Sequence, residues 1–179
     1  GVLYFFSDRH EEAESRLTAA VVLLETLAEE PVDDSIQLLM SAKYLLGVLY
    51  GSTDRGEHAV RSLTEVALGS RDLIAGSEGR FANRFLRMKF GFFLGSALCF
   101  LGMIYLELER EQEAEASLVE AVDVLCRRPR DELDQELLAE ALELLIDLYH
   151  RQGRARDAQR ILQVRQQCDA QTPEPPDIV

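Results

Sequence analysis

Four of the five tyrosines in this chain head the same string of residues. Five positions after Tyr4, Tyr50, Tyr105 and Tyr149 stands an arginine: Arg9, Arg55, Arg110 and Arg154. Nine positions on is an alanine (Ala13, Ala59, Ala114, Ala158), and thirteen on a leucine (Leu17, Leu63, Leu118, Leu162). The residue before each tyrosine is aliphatic, and Leu46, Leu101 and Leu145 lie four before the last three. A pattern held four times is an internal repeat, and units of this length bury their apolar faces only by stacking on one another. Stacked repeats present a long continuous surface, so the pattern argues for binding over catalysis.

The local pattern of each unit is helical. Ala114, Leu118, Ala121, Val122 and Leu125 recur at three and four, as do Leu138, Leu142, Leu145 and Leu148, the apolar stripe of an amphipathic helix. Tryptophan is absent, and all five prolines fall outside the proposed helices. Each repeat is therefore two antiparallel helices, A and B. The third turns between Leu108 and Glu111, and the fourth at Gly153, where glycine permits the left-handed conformation that ends a helix. The tyrosine fills the gap against helix B, and the alanine lets the two backbones approach where they cross. Gly47 and Gly102, three before their tyrosines, act likewise inside helix A, at about 1 kcal/mol each relative to alanine. The arginine falls at the A–B turn, near the carbonyl end of helix A, where a cation is favoured and a structural role is expected.

This sequence resembles the tetratricopeptide repeat family. Leu101, Gly102, Tyr105, Ala114, Leu118 and Ala121 match its pattern, as do Leu46, Gly47, Tyr50, Ala59 and Leu63. Leu145, Tyr149, Gly153, Ala158 and Leu162 match again, with Ile146 in place of the helix-A glycine and Arg165 in place of the second alanine. Tyr4, Ala13, Leu17 and Ala20 carry the first repeat. The tyrosines are spaced by 46, 55 and 44 residues against the family's 34, so the chain resembles a divergent, long-helix member of the family or an independently derived array of helical hairpins. The resemblance implies an all-α, right-handed α-solenoid of antiparallel helix pairs, with about 7–8 helices. The repeats are expected over about 1–30, 33–75, 80–127 and 131–168, with a loop at Gly76, Ser77 and Gly79 and a flexible, Pro-rich tail over 169–179.

Charge and cysteine usage narrow the partners. The net charge of −13 disfavours nucleic acid and anionic membranes and favours basic partners, unless it serves only to keep the array soluble. Cys99, Cys126 and Cys168 are scattered and match no metal spacing, so they are expected to be reduced thiols in a cytoplasmic or nuclear protein. No basic segment followed by an apolar core opens the chain, so no signal peptide is expected. Val2 to Phe6 enter the repeat pattern in its middle, which suggests a piece of a longer protein.

Nothing in the sequence points to catalysis. His10, His58 and His150 each lie near an A–B turn, and no phosphate loop, nucleophile motif or zinc pattern is present. Glu140, Glu143 and Asp147 share a helical face, but no His or Cys joins them. No catalytic residue, cofactor or metal is expected, and the chain is taken as non-enzymatic. The uncharged run Phe90 to Leu106 reaches only the short end of a membrane span. Its Leu101, Gly102 and Tyr105 keep the repeat register, so it is expected to be a core helix.

In tetratricopeptide proteins helix A lines the concave surface. The resemblance places Ser41, Tyr44, Val48 and Gly51 there from repeat two, and Ser96, Cys99, Met103 and Leu106 from repeat three. Repeat four supplies Glu140, Glu143, Asp147 and His150. The resulting groove is apolar in the middle and acidic at its C-terminal end. It suits a protein or peptide with apolar anchors and basic flanks, bound by an adaptor or scaffold. An alternative use lies in the basic, aromatic segment 80–93. There Arg80, Arg84 and Phe85, followed by Arg87, Lys89 and Phe90, would dock on another subunit, on the rest of the chain or on lipid, and self-association would follow.

Overall fold

Among the described residues A and B helices alternate along the chain. The computed structural model describes residues 9–27, 33–76, 83–127 and 132–170. Seven helices and no strand occupy them: α1 (His10–Leu27), α2 (Asp33–Ser52), α3 (Gly56–Gly76), α4 (Asn83–Glu107), α5 (Glu111–Cys126), α6 (Glu132–Arg151) and α7 (Ala155–Ala170). Each packs on the next in the chain, and α2 touches α4 as α4 touches α6. The A helices α2, α4 and α6 thus share one wall, and the fold is an all-helical repeat solenoid. Tyr4, Ser77, Gly79 and the tail beyond residue 170 lie outside the described residues.

The tyrosine–arginine spacing is the geometry of the turn between the paired helices. Helix A ends on a residue in the left-handed region: Asp54 and Glu109, both at φ 58°, and Gly153 at φ 69°. The next amide, that of Arg55, Arg110 or Arg154, donates back to the carbonyl of Tyr50, Tyr105 or Tyr149 at 2.9, 2.8 and 2.8 Å. The left-handed residue itself donates to the carbonyl three before it: Gly51, Leu106 or His150. These two bonds satisfy carbonyls that a helix end would otherwise leave open. The same arginine then starts helix B, its carbonyl accepting from Ala59, Ala114 or Ala158 at 3.0, 3.0 and 3.2 Å. The tyrosine carbonyl therefore closes the turn, the arginine is its pivot, and the alanine amide is the first in helix B to bond four residues back.

The arginine side chains link neighbouring repeats. Their guanidinium carbons stand over the rings of Tyr50, Tyr105 and Tyr149 at 4.5, 4.6 and 4.4 Å. Each also reaches a carboxylate on the preceding helix B. Arg55 binds Glu14 of α1 through both terminal nitrogens (3.0 and 2.8 Å), and Arg110 lies 3.6 Å from Glu57 of α3. Arg154 binds Glu115 of α5 through both oxygens. The structural role expected of the arginine is thus an inter-repeat clamp; Glu14 and Glu115 both stand ten residues after their tyrosines, whereas Glu57 lies off that register.

Packing explains the alanines and leucines. Ala13, Ala59, Ala114 and Ala158 are buried, as are Leu17, Leu63 and Leu118. A Cβ on Gly47 would come within 2.6 Å of Leu63 Cγ, and one on Gly102 would collide with Leu118. The glycine is the recess that receives the helix-B leucine. Repeat four carries Ile146 there, and its leucine, Leu162, is 43% exposed.

Two expectations are corrected. Gly76 is the last residue of α3 and not loop, because much of the extra length between repeats two and three lies in helix: α3 has 21 residues and α4 has 25. The cysteines are not all reduced thiols, since Cys126 and Cys168 form a disulfide with their Cα atoms 6.3 Å apart, leaving Cys99 free and buried. Both lie near the C-terminal ends of helix-B elements in adjacent repeats, a proximity that a sequence separation of 42 conceals. Among the described residues one helix, over Met88–Glu107, is long and apolar enough to cross a membrane, and 67% of that apolar window is buried within the fold. Contacts with α2, α3, α5 and α6 account for its apolarity.

Candidate functional site

The wall formed by α2, α4 and α6 is closed in places and open in others. Tyr44 of α2 packs edge-on against Phe93 and Phe100 of α4, at centroid distances of 6.4 and 5.8 Å. Burial pushes its phenol far above the usual range, and the neighbouring Cys99 and Glu140 add to that shift. Cys99 is fully buried and its thiol donates to the Leu137 carbonyl of α6 at 3.7 Å. Burial first, and the Glu140 charge second, raise that thiol to about 12. Ser96 is likewise fully buried. Tyr44, Ser96 and Cys99 therefore seal the joints between A helices, with Ser96 and Cys99 inside the wall and not on its surface.

An opening remains between α2 and α4. A cavity of about 210 Å³ is lined by Gly47, Val48, Gly51 and Ser52 of α2, Leu63 of α3, and Phe100, Met103, Ile104 and Glu107 of α4. Gly51 lies close to α4, where a Cβ would stand 2.7 Å from the terminal methyl of Ile104. The volume suits one apolar side chain, since it falls below the roughly 300 Å³ at which small-molecule pockets begin. Of the residues expected to face a partner, Val48, Gly51 and Met103 line this cavity, and Leu106 is half-buried beside it on α4. Glu107 and Phe100 were missed because the carried-over register omits their positions. Glu107 sits four residues after Met103, a spacing that places both on one helical face.

Along α6 the face is acidic. Glu140, Glu143, Asp147 and His150 are exposed, and Glu143 also pairs with Arg165 of α7 at 3.5 Å. Among the described residues no group of three His, Cys, Asp or Glu side chains is placed to hold a metal.

Residues 95–124 match the family model of the tetratricopeptide repeat. The match spans the A–B hairpin of repeat three, with its Tyr105–Arg110 turn and the Gly102–Leu118 recess, and supports a tetratricopeptide-repeat relationship for the chain. No curated protein and no solved structure matches it. The other tetratricopeptide-like hairpins, at Tyr50 and Tyr149, repeat the same backbone bonds with differing sequence between.

The segment singled out for assembly or lipid contact divides. Arg80 lies outside the described residues, as do the side chains of Arg84, Phe85 and Arg87. Lys89 donates to Gln37 Oε1 of α2 at 2.6 Å. Phe90 is only 3% exposed and belongs to the core. The aromatic end of the segment is thus packing for α4, which the sequence could not separate from a surface patch.

Proposed function

We propose that the chain is a non-catalytic protein-interaction module, an adaptor or scaffold that takes a peptide or helix with an apolar anchor and basic flanks. Tetratricopeptide repeats in general serve as protein-interaction scaffolds, and the finer reading rests on the cavity between α2 and α4. Its apolar lining accepts one side chain, the exposed Glu107 lies beside it for a neighbouring Lys or Arg, and Glu140, Glu143 and Asp147 continue the negative charge along α6. Met103 adds a flexible, polarizable lining that adapts to different anchors. We place the module in the cytoplasm or nucleus, with no nucleic acid or cofactor in its task.

Selection of peptides from a random display library tests this reading. Enriched sequences are expected to pair a large apolar residue with Lys or Arg. Binding should fall with Gly51→Val, which fills the cavity, and with Glu140→Lys plus Glu143→Lys, which reverses the charge. Peptides indifferent to both changes would remove the groove from consideration.

A second reading, self-assembly, is favoured by α1. Val22 and Leu23 are 57% and 61% exposed beside each other on an open face of α1 that also carries Ala19 and Thr18. In this reading a second copy of the chain covers them. Light scattering would then show a dimer that Leu23→Glu dissociates, whereas a monomer at all concentrations rejects it.

A further inference from the structure

The last helix is tied at its two ends, and between Ala158 and Cys168 it has no buried side chain, although Arg165 pairs with Glu143 of α6. At its start, Arg154 clamps α7 to Glu115. Among its described side chains Ala158 and Cys168 are buried, Ile161 and Val164 are partly covered, and Leu162 is exposed. At its far end the Cys126–Cys168 disulfide ties it to the last residue of α5. The helices α5 and α7 each pack on α6.

We propose that this disulfide is a redox latch on α7. Closed, it holds the final turns of the helix against the core cluster that Cys168 shares with Leu138, Leu142 and Leu145 of α6. Opened, it lets those turns lift and uncovers that flank of α6. Cys126 is half-buried at a helix end and Cys168 is 5% exposed, so Cys126 is the sulfur that a small thiol reaches. The exchange balances with a monothiol couple of the glutathione class. One thiolate attacks Cys126 Sγ, the Cys126–Cys168 bond breaks, and Cys168 leaves as a thiolate that takes a proton. A second thiolate attacks the mixed disulfide, releasing Cys126 and the small-molecule disulfide, and two electrons pass to the protein. In a reducing compartment the latch is open, and an oxidised small-molecule disulfide closes it by the reverse steps. This inference does not depend on the proposed groove.

Two measurements on the full chain test it. Thiol titration after denaturation should find one free thiol in protein equilibrated with the oxidised couple and three after dithiothreitol. Three thiols in both preparations would overturn the proposal. Hydrogen exchange should then show amides over 161–168 losing at least tenfold in protection on reduction, with those of α2 and α3 unchanged. The Cys168→Ser variant should show the reduced pattern in either condition, its fold verified by circular dichroism. Equal protection of α7 in both redox states, or a uniform loss along the whole chain, rejects a local latch.

Discussion

Arg154 and Glu115 meet fork to fork, Nη1 donating to Oε2 at 2.6 Å and Nη2 to Oε1 at 2.9 Å. The same guanidinium covers the Tyr149 ring, and the Tyr149 hydroxyl donates to Glu115 Oε1 at 3.0 Å. Three side chains thus bind the fourth hairpin to the third, as Arg55, Tyr50 and Glu14 bind the second to the first. A planar guanidinium can stack and chelate at once, which a lysine ammonium cannot. Arg154→Lys is therefore expected to lower the thermal midpoint although the charge is kept, and Arg154→Ala to lower it further.

These clamps make stability depend on pH in one direction. Hydrogen bonds from Arg55 and Arg154 hold the Glu14 and Glu115 carboxyls below their ordinary value of 4.5. A carboxyl depressed on folding contributes stability that is present above its unfolded value and lost as pH falls through its folded one. Urea midpoints should accordingly be steady above pH 4.5 and decline below it. The double variant Glu14→Gln, Glu115→Gln should be less stable at pH 7 and show a shallower acid decline. An unchanged acid slope would show that other carboxylates govern it.

Gly102→Ala sets two effects against each other. Alanine gains about 1 kcal/mol in helix propensity, but its Cβ collides with Leu118, and overpacking of a core costs about 1–3 kcal/mol. Packing should win, leaving the variant less stable by chemical denaturation. Adding Leu118→Ala should produce a double mutant less damaged than the sum of the two single changes.

The repeat position of the leucine does not carry a constant energy. Leu118→Ala empties a fully buried site and should cost about 2–5 kcal/mol. Leu162→Ala, at the equivalent position but exposed, should stay within about 0.5 kcal/mol. Equal losses in urea denaturation would contradict the role given to Ile146.

Phe90→Ala separates core from contact surface. A buried ring in α4 should cost about 3–5 kcal/mol on truncation, with molecular mass and liposome flotation unchanged. A change of mass or flotation without loss of stability would return Phe90 to the surface.

The hairpin itself was legible in the residue string, because the turn, its first bonded alanine and the crossing glycine are all local in sequence. Backbone hydrogen bonds five residues apart and contacts between paired helices impose a fixed spacing, and the tyrosine, arginine, alanine and leucine display it. The acidic face of α6 was legible for the same reason, a helical period of three and four. The cavity was only half legible: Val48, Gly51 and Met103 follow from repeat register, whereas Phe100, Ile104 and Glu107 enter through the angle at which α2 meets α4.

Sequence alone determined that this is an array of paired helices, because turns and amphipathic stripes are set by neighbours a few residues away. Tertiary structure alone decided which polar residues bridge repeats, that Ser96 and Cys99 lie inside the wall, and that Cys126 meets Cys168. Those outcomes depend on how one hairpin is rotated and shifted on the next. That placement is the summed result of side-chain volumes spread over several helices, and no single stretch of the chain encodes it.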